Sequence, residues 1–233
     1  MYQEKRVLGI IPARAGSKGV PGKNVRLIAG KPLINYTINT ALASGIFDYL
    51  LVSTDGKDIA QVAKEAGAKV PFLRPPELAT DTAKGIDVLF HAIDWCRENK
   101  MEFDWIIYLQ PTSPLRSDED IYNACTLMLE RRAKAIVSVC EMDHHPWWSN
   151  VLPEDGCMKS FMRPEVVNTN RQGLPKYYRL NGAIYIAELE FLRQHKSWFG
   201  NQTYAYIMPQ ERSVDIDNPI DFALAEQLLS TFG

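Results

Sequence analysis

The sequence predicts an α/β fold: a mostly parallel sheet with flanking helices. Two observations predict it. Short, wholly apolar runs recur along the first 140 residues, the type of strand that is buried on both faces of a parallel sheet. Between them lie segments whose apolar residues repeat at helical spacing. Strand and helix in alternation require crossovers, and crossovers set neighbouring strands parallel. The chain of 233 residues is 46% hydrophobic and 23% charged, which suits one generous domain that folds without staples.

The elements follow in order. Arg6 to Ile11 reads as the first strand, and a basic glycine-rich loop follows it from Pro12 to Asn24. Pro32 to Ser44 carries a helical stripe on Leu33, Ile34, Ile38, Ala41 and Leu42, with Gly45 as a C-terminal cap. Tyr49 to Ser53 is a strand, and Lys57 to Ala66 a helix on Ile59, Val62, Ala63 and Ala66, ended by Gly67. Lys69 to Leu73 reads as a short strand, Ile86 to Ile93 as a helix, and Trp105 to Leu109 as a strand. Ser117 caps a helix with Asp118, Glu119 and Asp120 in its first turn, where the helix dipole favours acids. Ala135 to Val139 is a further strand. From Cys140 to Leu180 the pattern breaks into irregular chain rich in Pro, Trp, His and Asn, the sign of a functional or packing extension. Ala183 to Ile186 and Tyr204 to Met208 return to strand character, and Pro219 to Leu229 closes as a helix.

Composition excludes several classes. A net charge of -2 without a basic tract argues against nucleic acid as a partner. No apolar run approaches the roughly 18 residues that span a bilayer, and the start lacks a signal-peptide core, so a cytoplasmic protein without a membrane partner is expected. Cys96, Cys125, Cys140 and Cys157 form no C-x-x-C pair and read as free thiols rather than a zinc site. His144 and His145 beside Trp147 and Trp148 lack a third ligand, which leaves a structural or ligand-stacking role.

The loop after the first strand is Ile11-Pro-Ala-Arg-Ala-Gly-Ser-Lys-Gly-Val-Pro-Gly-Lys-Asn24. Its glycines allow close backbone approach, and Arg14, Lys18 and Lys23 concentrate positive charge where open sheets bind ligands. A triphosphate fits that chemistry. The loop is not a P-loop, because five residues separate Gly16 from Gly22 and Asn24 follows Lys23; nor is it a dinucleotide fingerprint, since Arg14 stands where a glycine is required. A solvated surface loop is the bland alternative.

Late in the chain, Asp215 and Asp217 flank Ile216. On extended backbone residues i and i+2 share a side, so both carboxylates can meet one Mg²⁺ while Ile216 enters the core. Capping of the last helix by Asp217 or Asn218 is the competing account. Gln110-Pro-Thr-Ser-Pro-Leu-Arg116 follows a buried strand at the same sheet edge, and Gln110, Thr112 and Ser113 offer donors and acceptors to a polyhydroxy substrate; a rigid turn is the alternative.

The loop Ile-Pro-Ala-Arg-x-Gly-Ser-Lys-Gly-x-Pro-x-Lys-Asn resembles the signature of cytidylyltransferases that activate acidic nine-carbon sugars, the CMP-N-acetylneuraminate (CMP-sialic acid) synthetases above all. Ser53-Thr-Asp55, Arg74-Pro-Pro-Glu-Leu-Ala-Thr-Asp81, Gln110 to Arg116, Arg179-Leu-Asn-Gly-Ala-Ile-Tyr-Ile186 and Asp215-Ile-Asp217 recur in the family's order, so the likeness covers nearly the whole chain. It implies a nucleotide-diphospho-sugar transferase-like, Rossmann-like fold in a single domain over 1–233. It implies that Arg14, Ala15, Gly16, Ser17, Lys18, Lys23 and Asn24 hold the CTP phosphates, that Arg74 reads the cytosine, and that Asp215 and Asp217 carry Mg²⁺. Arg14 and Lys23 would then share the catalytic work with the two aspartates. Arg171, Arg179, Asn181 and Tyr185 match residues around the sugar pocket, the arginines suiting a carboxylate. Trp198 and Phe199 match aromatics that reach into a partner's sugar site, which implies a homodimer with an inserted extension over about 140–200. The family often carries lysine where Trp148 stands. The reaction implied is CTP plus a nonulosonic acid giving CMP-sugar and pyrophosphate. Sialic, legionaminic and pseudaminic acids all fit. The eight-carbon acid 3-deoxy-manno-octulosonate, a nicotinamide oxidoreductase and a non-catalytic nucleotide sensor are the rivals.

Overall fold

A computed structural model describes residues 1–164 and 169–232. The first strand, β1 (Val7–Pro12), is the axis of the molecule, and its apolar side chains alternate between two cores. Val7 and Ile11 pack with α1 (Leu33–Ala43), α2 (Lys57–Glu65) and α4 (Asp118–Glu130). Leu8 and Ile10 face the other way, onto α3 (Gly85–Glu98) and α5 (Leu189–His195). This is the period-2 consequence of a strand covered on both faces.

The remaining strands of the sheet are β4 (Tyr49–Ser53), β5 (Trp105–Tyr108), β6 (Ala135–Glu141), β7 (Tyr178–Glu188) and β8 (Thr203–Ile207). They lie in the order β4-β1-β5-β7-β6-β8. All neighbours run parallel except β7, which is antiparallel to both β5 and β6. A short hairpin of β2 (Leu27–Ile28) and β3 (Lys31–Pro32) stands apart. The chain closes in α6 (Pro219–Phe232). The fold expected from the sequence is therefore the fold observed. Among the described residues no helix is long and apolar enough to cross a membrane.

Two expectations change, and one small element was not anticipated. Lys69 to Leu73 is not a strand: Lys69 makes one bridge to Leu51, and Pro71 then removes the next donor. The irregular stretch is slightly narrower than Cys140 to Leu180, because β6 runs to Glu141 and β7 starts at Tyr178; only about 142–177 stand outside the sheet. The β2–β3 hairpin, two residues per strand, had no periodicity to betray it.

A third, smaller core matters most for the site. Val20, Ile28, Leu33, Ile216, Phe222 and Ala225 pack together, so the glycine-rich loop and the late acidic segment share one apolar anchor.

Candidate active site

That anchor brings the two ends of the sequence into contact at the C-terminal edge of the parallel strands. A Cβ added to Gly19 would lie 1.9 Å from the carbonyl oxygen of Asp217, so only glycine admits this approach. Gly22 holds φ +62 and starts the turn that turns Lys23 inward. Lys23 is buried; its ammonium donates to the Ile216 carbonyl and stands 3.6 Å from Asp217 Oδ1. Asn24 Nδ2 donates to the Arg14 carbonyl at 3.0 Å and fixes the loop's return.

A cavity of about 470 Å³ lies between these segments. Arg14, Ser17, Lys23 and Asn24 line it from the loop, Arg74 and Asp81 from a neighbouring segment, and Gln110, Thr112, Asp215 and Asp217 from the far side. Arg74 is buried and anchored on the end of β4, with Nε donating to Ser53 Oγ at 3.1 Å and Nη2 to the Ser53 carbonyl. Burial lowers its pKa, while Tyr108 and Asp55 pull it back. Of the other predicted phosphate residues, Gly16 and Lys18 are exposed, and the Ala15 amide is already held by Asp55 Oδ1 at 2.9 Å.

The acidic segment is fixed from both sides. Ile216 is wholly buried, as its place between two outward aspartates requires, and its amide donates to the Thr112 carbonyl at 2.9 Å. Asn218 caps α6: its Oδ1 accepts from the amides of Ile220 (2.8 Å) and Asp221 (3.1 Å). The capping account therefore belongs to Asn218 and not Asp217, whose side chain is 79% exposed. Among the described residues, Asp215 Oδ1 is buried without a hydrogen-bond partner. Burial raises the Asp215 pKa and the Asp217 charge raises it further, against Thr112, Lys23 and Arg179. A partnerless buried carboxylate oxygen beside a second carboxylate fits a hard cation that takes few protein oxygens.

A second cavity of about 340 Å³ adjoins the first and shares Gly85, Tyr108 and Gln110 with it. Its walls are Tyr185, Trp198, Phe199 and Leu180. The Trp198 ring lies 6.0 Å from Tyr108 and 5.4 Å from Tyr185, centroid to centroid. Trp198 lines a cavity of its own chain, and Phe199 is 53% exposed at the rim.

Three residues assigned to sugar contact line neither cavity. Ser113 and Asn181 are buried, with Asn181 Oδ1 accepting from Ser138 Oγ at 2.6 Å and its Nδ2 donating to Ser213 Oγ at 2.9 Å. Asn181 thereby joins β7 to β6 and to the segment before Asp215, and Ser113 Oγ donates to the Asn181 carbonyl at 3.4 Å. Arg179 Nη2 donates to the Ser213 carbonyl at 3.2 Å, on that same segment. The Arg171 side chain lies outside what is described. His145 is buried against Tyr177 and Trp147, with Nε2 at 3.1 Å from the Pro175 carbonyl, an internal brace of the extension.

Sequence reasoning passed over Tyr108, Gly182 and Asp81. Tyr108 stands two residues before Gln110 on one extended run, and that spacing was its signal. Gly182 holds φ +72, and a Cβ there would lie 2.4 Å from Gln110 Oε1, so glycine makes room for the glutamine side chain. Asp81 bridges Arg14 Nη1 at 2.8 Å and Lys18 Nζ at 2.5 Å.

The pattern of the cytidylyltransferase family matches residues 8–230. The chain is 41% identical over 231 residues to the CMP-N,N'-diacetyllegionaminic acid synthase of Legionella pneumophila, covering 96% of each protein. It is 39% identical over 215 residues to the N-acylneuraminate cytidylyltransferase of Streptococcus agalactiae, covering 91% of this chain but about half, 51%, of that relative. A solved CMP:2-keto-3-deoxy-manno-octonic acid synthetase complexed with CTP shares the fold, with a TM-score of 0.71 at 19% identity over 97% of this chain and 99% of that one.

Proposed function

The chain belongs to the cytidylyltransferase family, and from that premise we propose that it couples CTP to an N-acylated nonulosonic acid, releasing pyrophosphate. It is a nucleotidyltransferase. One observation carries the reading: Arg14 and Lys23, from the start of the chain, line a single cavity with Asp215 and Asp217 from its end.

In this reading the acceptor's anomeric oxygen attacks the α-phosphorus of CTP in line. The new O–P bond forms as the bond to the β-phosphate oxygen breaks, and the hydroxyl proton passes to solvent or a nearby base. Arg14 and the free N–H donors of Lys23 would hold the departing pyrophosphate charge. The remaining donors of Arg74 would read the cytosine, held in place by Ser53. Asp215 and Asp217 would hold Mg²⁺, which when bound neutralises charge on the phosphoryl oxygens. The aromatic cavity would seat the acceptor, with Gln110 at the junction positioning it against the phosphate. The nine-carbon choice is supported by the legionaminic and neuraminic relatives. Supporting a homodimer are Val151, Leu152 and Met158, which leave apolar side chains exposed on the extension. A cytoplasmic location suits an enzyme fed by CTP.

The test is pyrophosphate release with CTP and Mg²⁺ against N-acetylneuraminic, legionaminic, pseudaminic and 3-deoxy-manno-octulosonic acids. Turnover with at least one nine-carbon acid is expected. Turnover with none, or only with the eight-carbon acid, would refute the proposed acceptor class.

A further inference from the structure

Asp81 uses both carboxylate oxygens on the phosphate loop, Oδ1 on Arg14 and Oδ2 on Lys18. Arg14 Nη1 also donates to the neighbouring Thr80 carbonyl at 3.3 Å. These two cations belong to the loop assigned above to the triphosphate, and Asp81 lines the same cavity. Resting on that assignment, we propose that Asp81 is an internal competitor for the polyphosphate: it occupies Arg14 and Lys18 in the empty site and takes them back from pyrophosphate after transfer.

The geometry suits an exchange rather than a permanent brace. Asp81 is 45% exposed and Lys18 81% exposed, so both ends of the contact can be rehydrated as it opens. Exposed ion pairs of this kind are weak individually. CTP, with more negative charge and a second anchor through its base, displaces the carboxylate. Cleavage at the α-phosphorus removes that anchor. Pyrophosphate must then compete as a free anion with a carboxylate tethered on the same chain, whose effective concentration is on the order of millimolar. Arg14 and Lys18 are thereby kept compensated when the site is empty, and the product is displaced when the reaction is over.

The experiment is calorimetric titration of wild type, Asp81→Asn and Asp81→Glu with magnesium-free inorganic pyrophosphate, CMP and CTP. Asp81→Asn should bind pyrophosphate about threefold to tenfold tighter than wild type, the scale of two exposed pairs. CMP, lacking the β-phosphate, should shift by less than about twofold. Asp81→Glu, which restores the charge, should return toward wild type. Unchanged or weaker pyrophosphate binding by Asp81→Asn, in a wild type that binds CTP, would overturn the competitor role alone. An equal gain for CMP would also overturn it, because simple removal of a negative charge from the cavity would explain both. A wild type that fails to bind CTP would sink the cytidylyltransferase reading itself.

Discussion

The two adjoining cavities share Gly85, Tyr108 and Gln110, yet they are held together by different forces. The charged one is closed by contacts between chain ends: Lys23 reaches the Ile216 carbonyl across 193 residues, and Gly19 lets the loop touch the Asp217 backbone. The aromatic one is closed by ring packing among Tyr108, Tyr185 and Trp198, residues on or beside the sheet. Charge in the first is poised for a ligand: one acid has a partnerless oxygen, and one acid occupies two loop cations. The second presents mostly apolar surface and sorts ligands by shape. Chemistry and acceptor choice should therefore separate under mutation.

The largest separation is expected at Asp217. Asp217→Ala should lower kcat by about a hundredfold or more, the scale of removing one transition-state charge stabiliser. Its side chain is exposed and Asn218 supplies the cap, so the melting temperature should barely move. Unchanged Mg²⁺ dependence in that variant would break the assignment.

A buried acid outside both cavities gives the opposite balance. Asp120 caps α4 with Ser117 and takes Arg212 Nε and Nη2, both at 2.9 Å. Burial alone would raise its pKa, but the hydrogen bonds from Arg212 and Ser117 prevail and lower it. Its contribution is therefore present above the ordinary aspartate range and lost as pH falls through the lowered folded value. Asp120→Asn should cost about 1–3 kcal/mol in urea unfolding at pH 7, by removing a buried charge that a half-exposed Arg212 holds. A loss too small to measure would show that the pair does not hold the segment before Asp215.

Trp198→Ala should raise KM for the acceptor acid about tenfold while leaving the CTP KM within about twofold, since the indole lines only the aromatic cavity. Equal effects on both substrates would mean the cavities are not separate subsites.

The smallest effect has a sign that identifies the site. Asp215 is raised by burial and by Asp217, so the folded state binds its proton more tightly than the unfolded state does. Stability from this group is full below the ordinary aspartate range and lost as pH rises through the raised folded value. Asp215→Asn should thus raise the metal-free melting temperature by about 2 °C at pH 7, with no gain in strong acid, while abolishing most turnover. A lowered melting temperature at pH 7 would show that the carboxylate is a structural partner and not a reserved ligand.

Much of the fold could be read in advance because double-sided burial imprints a strong pattern. Val7 to Ile11 has no polar residue, and Ile86, Leu89, Phe90 and Ile93 repeat at helical spacing. Lys69 to Leu73 misled because an apolar run says nothing of the donor that Pro71 lacks. In the site, the residues that carry charge into the cavity stood out through spacing and motif. Asn181, Ser113 and Arg179 stood in the same motifs, and their hydrogen bonds tie the turn after β5, β7 and the segment before Asp215 together. A motif shows which residues recur together, and the bonds each one makes within the chain show only in the structure. Tyr108 and Gly182 were missed for a related reason: one looks like core, and the other matters for the side chain it omits.

In the proposed reading, both ends of the chain grip one triphosphate through a shared metal. A crystal grown with CTP and Mn²⁺ tests it most directly, because manganese is located by its own anomalous signal. A single strong peak is expected in contact with Asp215 and Asp217, with the triphosphate running from it to Arg14 and Lys23. A triphosphate bound away from the two aspartates, with no peak between them, would contradict it.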